Sequence, residues 1–241
     1  MRVLGIETAT SAQGVALMEN ERLLAEASYS AQGSRGGLLL PAVDDVLRKT
    51  GMAVQELDAV AVSVGPGSFT GLRVGVATAK GLARGSGARL IGVSTLEALA
   101  VGYEGPDGTI CALLDAFRGE VYVGVFTRRG GRTERVAPDA VLAPDAVAGA
   151  LAHVEAPVYV VGEGAARYRE QLAASLGERA ILTAEGLQAV PSAVLVARLG
   201  MAQWAGGRCH DGAVVPVYLR RVEAEVKWEQ GLLKSPLARL G

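Results

Sequence analysis

Apolar residues alternate with polar or small ones over residues 3–8, 14–18 and 23–30, which predicts three short strands joined by tight turns. The second turn is Glu19-Asn20-Glu21. A stretch rich in glycine and polar residues, from Gln32 to Gly37, then leads into a helix over 38–50 that stops at Gly51. Leu39, Val43, Val46 and Leu47 fall on one face of that helix, with Asp44, Asp45, Arg48 and Lys49 mostly elsewhere. Next comes a strand carrying Val60, Val62 and Val64, broken by Gly65, Pro66 and Gly67, and followed by a helix of mostly small residues up to Gly85. A strand at 90–93 and a short helix at 95–101 complete this run.

Gly102 to Gly108, with Pro106 and two acids, reads as a hinge, and beyond it the pattern restarts. Strands are expected at 109–115 and 120–127 around a turn at Phe117-Arg118-Gly119. A helix near 144–152, a strand at 158–161, a helix opened by Gly162-Glu163-Gly164 and running through Leu176, and a last helix over 191–205 follow. Two successive units of antiparallel strands followed by α/β crossovers predict an α/β fold of two similar lobes. The first would take residues 1–104, joined by the tail 213–241, and the second 105–212.

The segment 59–85 supports two readings. A glycine-rich turn at a helix N-terminus brings backbone N–H groups to a point where an anion can be held. On the helix itself, Gly71, Gly75, Ala79 and Ala83 recur every four residues, leaving one face almost without side chains, open to close approach by another helix. Arg73, Lys80 and Arg84 form a basic edge beside it. Known phosphate motifs fit poorly. Gly65-x-Gly67-x-x-x-Gly71 is one residue longer than the dinucleotide fingerprint, and Lys80-Gly81-Leu82 has the wrong order for a phosphate-loop NTPase. Pro66 stands where a nucleophile elbow around Ser68 needs its first glycine.

Composition narrows the function classes. Half of the 241 residues are hydrophobic, enough for a sizeable core, and 24 basic residues nearly balance 25 acidic ones. A free-standing nucleic-acid binder normally carries a strong basic excess. His153 and His210 are too far apart for a two-histidine helical metal site, so no metal is expected. Cys111 lies in an apolar strand and reads as core, while Cys209 is far from it, which points to a reduced cytoplasmic protein. No apolar run reaches membrane-spanning length. Glu7 and Asp115 close the first strand of each half, where they can point into a cleft between lobes and hold Mg²⁺, or simply cap turns. Arg128, Arg129, Arg132 and Arg135 read as decoration of an exposed hairpin tip.

Val64-Gly65-Pro66-Gly67-Ser68-Phe69-Thr70-Gly71-Leu72-Arg73 strongly resembles the signature of the TsaB (YeaZ) family. Further matching pieces are Ile6-Glu7-Thr8-Ala9-Thr10, Leu39-Leu40-Pro41, Gly92-Val93-Ser94-Thr95-Leu96-Glu97-Ala98-Leu99, Leu114-Asp115-Ala116, Arg118-Gly119-Glu120-Val121-Tyr122, Gly162-Glu163-Gly164-Ala165 and Pro216-Val217-Tyr218-Leu219-Arg220. The resemblance implies an actin-like fold (acetate kinase, Hsp70, actin; ribonuclease H-like) of two duplicated lobes. It implies a non-catalytic subunit that dimerises with and activates the catalytic subunit TsaD, which transfers threonylcarbamoyl to the tRNA adenosine beside the anticodon. An ATPase, TsaE, would be a further partner, tRNA contact would be indirect or weak, and the chain alone would pair with itself. The implied interface residues are Leu39, Leu40, Val43, Val46 and Leu47 on the first helix, and Gly71, Leu72, Gly75, Val76, Ala79, Lys80 and Ala83 on the second. Glu7 replaces the aspartate usual in the first phosphate loop of the superfamily, the histidine pair of TsaD is missing, and Arg35-Gly36-Gly37-Leu38 stands where many relatives have His-Ser before Leu-Leu-Pro. These departures favour a scaffold over an enzyme, with no cofactor. The alternative is an actin-fold ATPase or phosphotransferase acting on a small molecule, with a nucleotide on Glu7, Thr8, Asp115, Gly162, Glu163 and Gly164.

Overall fold

A computed structural model describes residues 1–30, 37–184, 186, 189–207 and 214–220. Gln32 to Gly36, Cys209, His210 and the tail beyond Arg220 lie outside the described residues. The first sheet holds β1 (Arg2–Glu7), β2 (Ala12–Glu19), β3 (Arg22–Ser30), β4 (Ala59–Gly65) and β5 (Arg89–Ser94), in the order β3-β2-β1-β4-β5. β1 pairs antiparallel with β2 and parallel with β4. The second sheet holds β6 (Gly108–Asp115), β7 (Val121–Arg129), β8 (Arg132–Arg135), β10 (Val158–Val161) and β11 (Ala180–Ile181), in the order β11-β10-β6-β7-β8, with β9 (Ala140–Leu142) beside β7. Substituting β6 for β1, β7 for β2, β8 for β3, β10 for β4 and β11 for β5 turns one order into the other. The duplication expected from the restarting pattern is therefore present in the topology.

Alternation along the strands distributes the core among helical layers. Leu4, Ile6, Val15, Leu17, Val60 and Val62 face α1 (Leu39–Thr50) and α2 (Phe69–Ser86) on the outer side of the first sheet. The opposite side, with Val3, Met18, Ala61, Ile91 and Val93, meets α7 (Ala193–Ala205). Leu96, Leu99 and Ala100 of α3 (Thr95–Val101) pack against Ile110, Ala112, Leu114 and Phe126 of the second sheet, so α3 and α7 fill the space between the sheets. Cys111, Leu113, Val158 and Val160 face outward onto α4 (Val147–Ala150), α5 (Glu163–Arg167) and α6 (Arg169–Leu176). Burial pushes the Cys111 thiol up to about 12, as a core position requires.

Three sequence expectations are corrected here. α7 falls within 105–212, yet it packs on β1, β2 and β4 and so belongs physically to the first lobe. The helix expected to run from Gly162 through Leu176 is two helices, divided at Tyr168. The helix near 144–152 is one 3₁₀ turn followed by the short α4. Helical periodicity does not distinguish an unbroken helix from two turns meeting at an angle.

Candidate functional site

A cleft of about 650 Å³ lies between the lobes at the ends of β1, β4 and β6. The first lobe contributes the turns at Ala9–Ser11 and Gly67–Ser68, and the second contributes Asp115, Phe117, Glu163 and Arg167. Asp115 therefore stands at the cleft, as its position at a strand end predicts. Its carboxylate is fully engaged: Arg167 donates at 3.0 Å, the backbone N–H of Phe117 at 3.0 Å and the Tyr168 hydroxyl at 3.3 Å. Burial, then the Asp115 charge, raises the Glu163 carboxyl, while Arg167 lowers it.

Glu7 does not line this cleft. Its side chain is fully buried; Oε1 accepts the Ala9 N–H at 2.5 Å and Oε2 has no partner. Burial drives its pKa up to about 7, the Ala9 N–H and the Ser63 hydroxyl pull it back, and the charge of Glu163 adds to the rise. Thr8 is equally buried, donating its hydroxyl to the Gly71 carbonyl at 2.8 Å. Gly162 and Gly164 press against the backbone of β6 at Leu113 and Leu114, so they serve packing. Of the six residues expected around a nucleotide, only Asp115 and Glu163 line the cleft. The cleft wall holds two carboxyls, Asp115 and Glu163, and the one arginine in it, Arg167, is already paired with Asp115. Among the described residues, no group of three His, Cys, Asp or Glu side chains is placed to hold a metal ion.

The bare face of α2 is also not where the spacing put it. Gly71, Gly75, Ala79 and Ala83 are all buried within this chain. A Cβ at Gly71 would collide with the Thr8 carbonyl oxygen, and one at Gly75 with the Thr8 hydroxyl. Glycine is therefore required for α2 to approach the end of β1, and that face is filled from within this chain. Leu72 and Val76 are buried beside it, as are Leu39, Val43 and Val46 of α1. Among the residues expected at an interface, Leu40 (61% exposed) and Lys80 are exposed and Leu47 is half-buried. Leu38, ahead of α1, is 42% exposed. Both helices begin at the same edge of the first sheet, because β3 ends opposite the start of β2 and β4 ends beside the end of β1. The head of α1, with Leu38 and Leu40, and the head of α2 thus lie at one end of the outer layer.

Ser68, Phe69, Thr70 and Arg73 of the glycine loop occupy the head of α2. Ser68 caps it by accepting the Gly71 N–H at 3.2 Å. The cluster extends to residues that sequence pattern marked only as part of a resemblance. Arg73 lies over the Phe69 ring at 3.7 Å and donates from Nε to the Tyr218 hydroxyl at 3.1 Å, and the two rings stand 5.0 Å apart. Tyr218 belongs to a strap, residues 214–220, that crosses from lobe to lobe. Val217 donates its N–H to Val64 at 2.7 Å. Arg220 donates to the Ala116 carbonyl at 2.8 Å and pairs with Glu120 at 3.3 Å. No local signal announces such partners, which lie a hundred residues or more away.

Two of the four hairpin arginines are likewise structural. Arg128 donates to the Tyr103 carbonyl at 2.5 Å, and Arg135 lies over the Phe126 ring while pairing with Asp139.

Residues 36–228 match the family model described as TsaD, tRNA N6-adenosine threonylcarbamoyltransferase. The Bacillus subtilis tRNA threonylcarbamoyladenosine biosynthesis protein TsaB is 34% identical over 229 residues, covering 95% of this chain and 98% of its own. YeaZ of Pseudomonas aeruginosa, a solved structure, is 29% identical and covers 90% of this chain and 100% of its own, with a TM-score of 0.74. The ethanolamine utilization protein EutJ of Carboxydothermus hydrogenoformans shares the fold alone, at 16% identity and a TM-score of 0.50 over 83% of this chain and 90% of its own. With its two duplicated actin-like lobes and this likeness over nearly its whole length, the chain belongs to the TsaB family of tRNA threonylcarbamoyladenosine biosynthesis.

Proposed function

We propose that this chain is the non-catalytic subunit that pairs with a TsaD-like transferase and activates it for threonylcarbamoyl transfer to the tRNA adenosine beside the anticodon. The observation that carries this reading is the exposure of Leu38 and Leu40 at the head of α1, beside α2. Two leucines left in water while Leu39, Val43 and Val46 of the same helix are buried favour a protein partner. The match to the transferase family supplies a partner with a related fold, and related subunits pair readily through equivalent faces. In this reading the complex works in the cytoplasm, a TsaE-like ATPase joins it, tRNA is gripped mainly by the transferase, and the chain pairs with itself when alone.

Reconstituted transfer to tRNA tests the proposal. A TsaD-like transferase, with the remaining components held constant, should modify tRNA many times faster when this chain is added. Equal rates with and without it would overturn the reading.

A further inference from the structure

The outer side of α2 carries three cations and no acid. Arg73, Lys80 and Arg84 are exposed, and nothing between Phe69 and Ser86 is acidic. Spacings of seven and four residues align them along one edge of the helix. The acids of α1 are already occupied, Asp44 lying 3.5 Å from Arg48 and Asp45 2.7 Å from Lys49, and Glu56, on the turn that packs against α2, pairs with Arg2 at 3.0 Å. Among the described residues, no carboxylate pairs with Arg73, Lys80 or Arg84.

Arg73 is held differently from an ordinary surface arginine. The Phe69 ring supports the flat of its guanidinium and the Tyr218 hydroxyl takes its Nε–H, and among the described residues no acceptor takes either terminal nitrogen. The strap that supplies Tyr218 is itself tied down at Val64 and at Ala116. Side-chain freedom has thus been given up in the free protein, before any partner arrives. A fork of unused N–H groups, fixed in place beside aromatic rings, is suited to accept a carboxylate in two-point contact.

We infer that this basic edge, headed by the pre-positioned Arg73, selects a protein partner whose facing helix carries acidic side chains, and discriminates against a second copy of this chain. The inference rests on the proposed pairing with a transferase and specifies what that pairing reads. A two-fold contact of α2 with its own copy brings the same three cations to both sides, which repel each other. An acidic helix meets no such penalty. The surroundings favour protein over nucleic acid. The one fixed cation stands against Tyr218, with Val217 next to it in the strap, both at least 40% exposed, a mixture typical of protein interfaces. An RNA groove needs a denser set of cations.

Affinity for the transferase subunit, measured calorimetrically at low and high salt, tests the assignment on full-length chains. Arg73→Ala should weaken binding about tenfold or more, and Arg73→Lys should weaken it nearly as much, since lysine has neither the fork nor the flat face. Lys80→Gln with Arg84→Gln should weaken the heterocomplex about tenfold at low salt, lose most of that effect at high salt, and strengthen self-association. Tyr218 acts through Arg73 as a positioning residue. Tyr218→Phe should therefore cost several-fold in the wild-type background and nothing once Arg73 is alanine. All these side chains are exposed, so unchanged thermal melting should accompany each variant.

Wild type that fails to bind the transferase would sink both the proposed function and this inference. Wild type that binds while every variant binds equally would sink the inference alone. Variants that keep the transferase but lose retention of tRNA would show that the edge reads RNA, and would also overturn it.

Discussion

Neutralising Glu7 should make this protein more stable at high pH and no more stable at low pH. Its carboxyl is wholly buried, with one oxygen on the Ala9 N–H and the other without a partner, and its pKa stands at about 7 against 4.5 for the free side chain. Folding therefore raises the pKa, and the folded state holds a proton that the unfolded chain releases between those values. The stabilising contribution is fully present below pH 4.5 and is lost as pH rises through about 7. Raising the pKa from 4.5 to about 7, at about 1.4 kcal/mol per pH unit, amounts to about 3 kcal/mol. Glu7→Gln keeps an acceptor for Ala9 and removes the titration. Urea unfolding followed by circular dichroism from pH 4 to 9 should show wild type and variant close together at the acid end. They should diverge to about 3 kcal/mol in favour of the variant above pH 8. Titrating groups that do not interact with Glu7 contribute equally to both proteins and cancel in the difference. A difference that stays constant with pH would refute the reasoning, because it would mean that Glu7 keeps its unfolded-state affinity for protons.

Gly75→Ala should destabilise the lobe by about 1–3 kcal/mol in denaturant unfolding, since the added methyl meets the Thr8 hydroxyl that is bonded to Gly71. A change confined to self-association, with stability intact, would contradict the packing described for α2. Leu40→Asp should weaken pairing with a transferase subunit by at least about tenfold in affinity while leaving the melting temperature within a degree or two, because Leu40 is 61% exposed. Arg220→Ala removes the bond to Ala116 and the pair with Glu120. It should cost about 1–2 kcal/mol and speed amide exchange around Ala116 and Phe117, read by hydrogen-exchange mass spectrometry.

Much of the architecture was legible because it is local. Strand alternation at Val60, Val62 and Val64, the stop at Gly51 and the restart after Gly108 each depend on neighbours a few residues away, and the observed elements fall where those signals place them. Even the duplication of the lobes shows as a repeated order of such signals. The candidate site was legible only in part. Asp115 and Glu163 do reach the cleft, since a strand end and the turn after a strand are topologically bound to open there. Glu7 occupies the corresponding strand end in the first lobe, yet the chain beyond it folds back so that the Ala9 N–H donates to its carboxylate, which is wholly buried.

What the amino-acid sequence determined by itself, then, was the order of elements, the two-lobed plan and the small face of α2, because spacing and side-chain size are properties of a single helix or strand. Which object covers that face was decided by tertiary structure. Gly71 and Gly75 meet Thr8, sixty-odd residues earlier in the chain, so the face expected to receive a partner is filled from within. The side left exposed is the one with Arg73 held between Phe69 and Tyr218. Periodicity measures how closely something can approach a helix. Only the three-dimensional arrangement of distant residues says what does.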